Sequence, residues 1–272
     1  MNYHNDKWIM EKVQEHYQEA LEYFPEERIV GIFLQGSQNY GLDTANSDID
    51  TKLIVTPSLS ELATIAAPIS TTHIRENNEH IDFKDVRNYL TVIRKQNLNF
   101  LEILYTPYKI INPLYQEEWK KLEIHRDEIS SLNRYRAIHS MKGLAWNKYM
   151  AMETPYPSKV NIIKKYGYDG KQVHHLRRID DYIARYIEGK IPYAELLYPS
   201  TSVYQELQDW KEQKFTLEEA RTLAKQYMEN IVKNVEEYDK IIKNVDNPDM
   251  IKLLEEVQYN ILKISLQNEI KN

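Results

Sequence analysis

The sequence has no cysteine. Disulfides and thiolate metal sites are therefore excluded, and a cytoplasmic setting is expected. No apolar run approaches the roughly 20 residues that a membrane helix needs, so no membrane association is expected. The segment Met1 to Asp6 lacks the basic start and apolar stretch of a secretory signal. An excess of positive charge is also missing, since the net charge is −6. Generic nucleic-acid binders are usually basic. The acidic balance lowers the expectation of tight nonspecific binding, although a local basic face can suffice. Glycine is scarce, with 7 in 272 residues, yet Gly31, Gly36 and Gly41 fall in one short stretch. Glycine adopts backbone shapes that other residues resist, so this clustering marks a special turn.

What is present describes a globular chain. Hydrophobic residues make up 42% and charged residues 28%, within the ordinary range. Most of the 21 tyrosines are expected in core or half-buried packing. The same holds for the rings of Trp119, Trp146, Tyr149 and Trp210.

Apolar periodicity divides the chain. A helix is expected from about Asp6 to Tyr23, ended by Pro25. A buried strand follows from Arg28 to Leu34. Gly36 to Gly41 is a turn entering a short helix, and Asp50 to Thr56 is the next strand. Ser58 and Glu61 have capping-box spacing, so a helix is expected from Ser58 to Ala66. Thr71 to Arg75 and Glu79 to Phe83 form a hairpin around Asn77-Asn78, since asparagine tolerates left-handed geometry. Val86 to Arg94 is helical, and Leu101 to Tyr105 is a short apolar piece. Long helices then dominate: 113–129, 133–152, 170–188, 216–245 and 248–270. Thr154-Pro155-Tyr156-Pro157 breaks the chain after the second of them. The expected division is a mixed α and β half over 1–107 and an all-helical half over 108–272.

The chemistry gathers in Gly36-Ser37-Gln38-Asn39-Tyr40-Gly41, followed by Ser47-Asp48-Ile49-Asp50, between two expected strands. Side chains two apart on extended backbone point to the same side. Asp48 and Asp50 therefore form a pair of carboxylates that repel unless a cation lies between them. Mg²⁺, with Mn²⁺ as a substitute, favours such hard oxygen ligands and keeps room for phosphates. Gly36 allows close backbone approach to a phosphate. Ser37 adds a hydroxyl and an N–H at a helix start, where anions are favoured. Ser47 and Tyr40 complete the expected nucleotide contacts. Tyr40 is equally suited to stacking on a base or packing under the turn. The plain alternative is a Gly/Ser loop in which Asp48 caps and Asp50 is solvated. A lone GS or DxD would be read that way; the combination in strand–turn–strand context reverses the balance.

This stretch resembles the signature of the DNA polymerase beta-like nucleotidyltransferase superfamily. The wider order is GSxxYG, SDID, then NLNFLEIL from Asn97 to Leu104, then Gly167 to Arg178 with Lys171, His175 and Arg178. It resembles the nucleotidyltransferases of a bacterial RNA-repair-associated polymerase beta-like family. Leu98 departs from that pattern, where a proline is common. The resemblance implies an α+β fold: a small mixed-sheet, palm-like catalytic domain followed by an all-helical domain. It implies Mg²⁺-dependent transfer of a nucleotide from an NTP to an acceptor hydroxyl, with an RNA (tRNA) 3′ end as the leading acceptor. A protein or small-molecule hydroxyl is the enzymatic alternative. A catalytically silent nucleotide-binding or partner-binding module is the alternative of another class.

The resemblance also implies a third carboxylate on a neighbouring strand, as metal ligand and general base. Asp82 is the choice, with Asp85 and Glu79 as competitors; Asp85 is as well suited to capping the next helix. Lys171, His175 and Arg178 share one helical face, which would hold a triphosphate or an RNA backbone. The alternative is a solvated face paired with Asp180, Asp181 or Glu188. His174 is expected to be structural. Glu102 is expected to bind backbone or a cation such as Arg94 rather than act in catalysis.

Overall fold

The computed structural model describes residues 3–45 and 47–271; the expectation for Met1 to Asp6 therefore falls partly outside the described residues. In chain order the elements are α1 (Asp6–Ala20), β1 (Ile29–Gln35), β2 (Asp50–Val55), α2 (Leu59–Ala63), β3 (Ser70–Ile74), β4 (His80–Asp85), α3 (Val86–Arg94), α4 (Leu98–Leu101) and β5 (Lys109–Ile111). They continue with α5 (Gln116–Ile124), α6 (Arg126–Ser130), α7 (Arg134–Ala151), α8 (Val160–Tyr166), α9 (Gly170–Glu188), α10 (Tyr193–Leu196), α11 (Thr201–Lys211), α12 (Leu217–Asp239) and α13 (Pro248–Lys271). None of the described helices is long and apolar enough to cross a membrane.

The chain forms two compact units. The first holds residues up to Leu132 together with Asp246 onward, and the second holds Asn133–Val245. The expected boundary near 107 therefore lies too early, and α13 belongs to the first unit. The reason is its apolar stripe: Met250, Leu254, Val257 and Ile261 are buried. Three side-chain contacts reinforce that seat. Ser265 bonds Thr56 at 2.7 Å, Glu269 accepts from the Leu59 N–H at 2.9 Å, and Lys121 reaches Glu256 at 3.1 Å.

The first unit is built on a five-stranded sheet ordered β3-β4-β2-β1-β5. β2 runs parallel to β4, and the other pairs are antiparallel. This is the mixed sheet of the expected α+β fold. Six of the seven residues of β1, Ile29 to Leu34, are buried, as a central strand covered on both faces should be. One face packs on α1: Ile9, Val13, Tyr17 and Ala20 join Ile32, Leu34, Leu53, Val55, Ile81 and Phe83 in one core. On the other face Phe33 stacks on Trp119 of α5, with centroids 4.2 Å apart, and Trp119 stacks on Tyr89 of α3 at 5.7 Å.

The local expectations are met by recognisable chemistry. The Ser58–Glu61 capping box forms. Asn78 takes a φ of 67° in the hairpin turn. The Leu101 to Tyr105 piece is largely helical: Asn97 caps α4 through the Asn99 N–H at 3.0 Å. Its successor is a 3-10 turn over Glu102–Leu104.

In the second unit α9 packs against α7, α11 and α12. Tyr168 and Gly170 fix the entry to α9. Tyr168 donates to the Phe215 carbonyl at 2.7 Å. A Cβ on Gly170 would lie 2.2 Å from the Trp210 carbonyl oxygen, so no larger residue fits there.

Candidate active site

The turn after β1 is shaped by Gly36. Its φ of 101° and ψ of −160° lie in a region essentially restricted to glycine. One 3-10 turn, Ser37–Tyr40, follows and ends on Gly41 at φ 66°. Side chains pin the loop. The Asn39 amide donates to Leu34 O at 2.9 Å and accepts from Thr106 at 2.7 Å. The Gln38 amide donates to the Asp48 carbonyl at 2.8 Å. Ser47 Oγ accepts from the Thr44 N–H at 2.8 Å and lies 3.5 Å from Ser37 Oγ. Ser37, Ser47 and Asp48 are thus tied into one loop pair. A single 3-10 turn aligns few peptide dipoles. The short helix expected here is thus this 3-10 turn, with Ser37 at its start.

The Gly36 geometry gives a direct prediction. An alanine Cβ there has space, with its nearest atom at 3.7 Å, but the backbone angles are strained for it. Gly36→Ala is expected to cost about 1–3 kcal/mol in urea denaturation and to weaken nucleotide binding. An unchanged midpoint together with unchanged affinity would refute this account of the turn.

Asp48 is exposed, Ile49 is buried, and Asp50 is partly exposed at the start of β2. The register places Asp50 opposite His80 and Lys52 opposite Asp82. The His80 N–H donates to Asp50 at 3.0 Å. Strand side chains alternate between faces. Leu53, Val55, Ile81 and Phe83 face α1, so Asp50, Lys52, His80 and Asp82 share the opposite face.

The alternation also disposes of the two competitors. Glu79 lies on the α1 side, bonded to His16 at 3.1 Å and paired with Arg75. Burial would raise its pKa, but His16, Asn77 and Arg75 hold it down to about 2. Asp85 caps α3 through the Arg87 N–H at 2.8 Å and pairs with the Arg87 guanidinium. Asp82 is therefore the acid that the sheet places beside Asp50's face.

Asp82 is already partnered. Its Oδ2 lies 3.2 Å from Lys52 Nζ and 3.5 Å from the Gln35 amide, and its Oδ1 accepts from Thr72 on β3. Burial would raise its pKa; Lys52, Thr72 and Lys84 outweigh this and hold it below the usual carboxylate range. Lys52 is 2% exposed, with Nζ 4.3 Å above the Phe100 ring. Burial lowers its pKa against the opposing pull of Asp82 and Glu102. Tyr40 donates to Glu102, and both are buried. Tyr40 is thus packed under the turn, the second of its two expected roles. Glu102 accepts from the Tyr40 hydroxyl and its charge also acts on the Lys52 ammonium; Arg94 lies 3.8 Å from Asp246.

Among the described residues no three of His, Cys, Asp and Glu are grouped to hold a metal ion. Asp48 and Asp50 supply two hard carboxylates. That donor set fits Mg²⁺, which is commonly held by one or two carboxylates with waters and substrate phosphates.

The family model described as RlaP, the RNA repair pathway DNA polymerase beta family, matches residues 9–253. The chain belongs to this family. The resemblance carried by GSxxYG, SDID and the later motifs is thereby borne out. No curated protein matches the chain. A solved structure of a nucleotidyltransferase-like protein from Exiguobacterium sibiricum 255-15 is similar at 16% identity, over 95% of this chain and 89% of that one, with a TM-score of 0.31.

The family match extends into the second unit, where Lys171, His175 and Arg178 lie on α9. Lys171 is exposed. Burial, then His174, Lys148, Arg178 and Lys171, push the His175 pKa well below its ordinary value. Its surroundings thus favour the neutral ring over a charged one on the expected cationic face. The same field reaches Lys148, whose pKa is lowered by burial and by Lys171. Arg177, the neighbour of Arg178 in sequence, bonds Glu206 at 2.8 Å and Asp180 at 3.1 Å.

His174 is structural, as expected: its Nδ1–H donates to the Leu207 carbonyl at 2.8 Å. Burial chiefly, with Lys211, lowers its pKa to about 3. The unfolded value is about 6.5, so folding favours the neutral ring. That stabilisation is complete above about pH 6.5 and is lost as pH falls toward 3. His174→Gln keeps an N–H donor but cannot take up the proton. It is expected to flatten the loss of stability between pH 6.5 and 4, by up to roughly 3 kcal/mol. Urea midpoints across that range would show it; parallel curves for both proteins would refute it.

Lys52 escaped the sequence reading, as did Phe100, Thr72 and Gln35 around it. The signal was present. A lysine inside the apolar run Asp50 to Thr56 must either leave the strand or find a buried partner.

Proposed function

We propose that this protein transfers a nucleoside monophosphate from an NTP to an acceptor hydroxyl and releases pyrophosphate. The observation that carries this reading is the joining of two loops: the Gly36-Ser37 turn and the Asp48–Asp50 segment are tied by Gln38, Ser37 and Ser47. A phosphate cradle thereby adjoins a pair of carboxylates. The N–H groups of the turn and the Ser37 and Ser47 hydroxyls would hold the triphosphate. Asp48 and Asp50 would hold Mg²⁺, which when bound polarises the phosphate oxygens and offsets charge developing in an in-line displacement. The acceptor hydroxyl oxygen forms a bond to the α-phosphorus and gives up its proton to solvent, as the bond from that phosphorus to the α–β bridging oxygen breaks and pyrophosphate leaves with the bonding pair. Asp82, kept ionised by Lys52, would accept a hydrogen bond from the acceptor hydroxyl and orient it. Its lowered pKa suits orientation better than proton abstraction.

An RNA 3′ end is the proposed acceptor, on the strength of the family's RNA-repair description. Lys171, exposed on α9, is the proposed contact of the second unit with RNA phosphate. The test is incubation with each α-labelled NTP, Mg²⁺, total RNA and total protein. Label is expected in the RNA fraction with release of pyrophosphate. Label in protein instead would move the acceptor to a protein hydroxyl. No labelled product and no pyrophosphate under any condition would sink the enzymatic reading.

A further inference from the structure

Lys52 is among the largest fully buried side chains of the described residues. An ammonium so far from water is tolerated when it is paired and hydrogen-bonded. The parallel register sets Lys52 directly opposite Asp82 on the same face, and its Nζ lies 3.2 Å from Asp82 Oδ2. Phe100 covers the ammonium, its ring centroid 4.3 Å away, an arrangement that favours a cation over the ring face. Thr72 and Gln35 bring further donors to the two Asp82 oxygens. A divalent ion on this carboxylate would have to displace these donors and sit close to a fixed positive charge.

We propose that Lys52 is the resident counter-charge of Asp82, so that Asp82 is a positioning residue and the site takes one divalent cation, at Asp48 and Asp50. The proposal rests on the reading of Asp48 and Asp50 as the metal-binding pair. Under it the third carboxylate of the motif set is satisfied by the protein's own cation, on the strand that carries Asp50. The consequence is a site that neutralises Asp82 in every state, with or without metal.

The test is a titration of the full chain with Mn²⁺ alone, counting bound ions from the electron paramagnetic resonance signal of free Mn²⁺. Wild type is expected to bind one ion in this site. Asp82→Asn should also bind one, with affinity within about twofold. Lys52→Met, which keeps length and apolar stem, should bind a second ion or bind Mn²⁺ about tenfold more tightly. The double variant Lys52→Met/Asp82→Asn should return to wild-type behaviour. A merely structural role for Lys52 would not change the ion count. Loss of the bound ion, or tenfold weakening, in Asp82→Asn overturns the proposal. So does a second wild-type ion that Asp82→Asn removes, and so does a folded Lys52→Met that binds Mn²⁺ like wild type. If Lys52→Met does not fold, the Asp82→Asn arm decides. If wild type binds no ion, or if Asp48→Asn/Asp50→Asn binds as wild type does, the reading of the Asp48–Asp50 pair has failed instead.

Discussion

Replacing Asp48 and Asp50 together by asparagine is expected to lower NTP-dependent labelling and pyrophosphate release at least about a thousandfold. A metal ion contributes several kcal/mol of charge stabilisation to phosphoryl chemistry, and each 1.36 kcal/mol is tenfold in rate. The fold should survive. Asp48 is exposed, and the Asp50→Asn side chain would retain the oxygen that accepts the His80 N–H. Removing two adjacent like charges also relieves their repulsion, so the thermal midpoint should stay level or rise slightly. Single replacements would separate the two carboxylates. Retained turnover in the double variant would refute the mechanism, while a collapsed fold would place these residues in the structure rather than the chemistry.

The largest effect on stability is expected from Trp119→Ala. Trp119 is fully buried and stacks on both Phe33 and Tyr89. It thereby joins α5, the central strand and α3 on the face that carries Asp50 and Lys52. Its indole N–H has no partner among the described residues, so its contribution is packing and aromatic contact rather than a hydrogen bond. Truncating a buried tryptophan to alanine costs roughly 3–5 kcal/mol. Spread over a unit of this size, that lowers the melting midpoint by about 10 °C. Trp119→Phe should lose much less. Calorimetry would distinguish this from an effect on the second unit, whose own transition should hold its position. A shift of less than about 1 kcal/mol would show that the α3–sheet–α5 face is not held as described.

The candidate motif was legible because its residues are close in sequence and chemically uncommon together. Gly36, Asp48 and Asp50 needed no knowledge of strand order. Asp82 needed one step more, the neighbouring strand, and alternation along β4 then separates it from Glu79 and Asp85. The Lys52–Asp82 pair was hidden because it depends on the parallel register of β2 on β4, which no local pattern encodes. Tyr40 and Glu102 stand out separately in the sequence, yet their mutual bond spans 62 positions. The fold divided the same way. Val86 to Arg94 and 170–188 coincide with α3 and α9, where caps and periodicity are local. The segment 193–211 carries no expected element because α10 and α11 are short, and their burial depends on α9. The assignment of α13 was missed because nothing in its own stripe says which surface will cover it.

The seat of α13 on the sheet-bearing unit sets the order in which the protein assembles. The Asn247 N–H donates to the Leu132 carbonyl at 2.9 Å, so the chain leaves the sheet-bearing unit and rejoins it at one point. Residues 133–245 are therefore an insertion, held at both of its ends. A ribosome completes the whole insertion before α13 emerges to cover α3 and α5. Domains generally fold as units during synthesis, and the helical insertion has every residue it needs at that moment. The sheet-bearing unit does not. Its nascent form must wait with the α13 docking surface on α3 and α5 open until the last helix has been made.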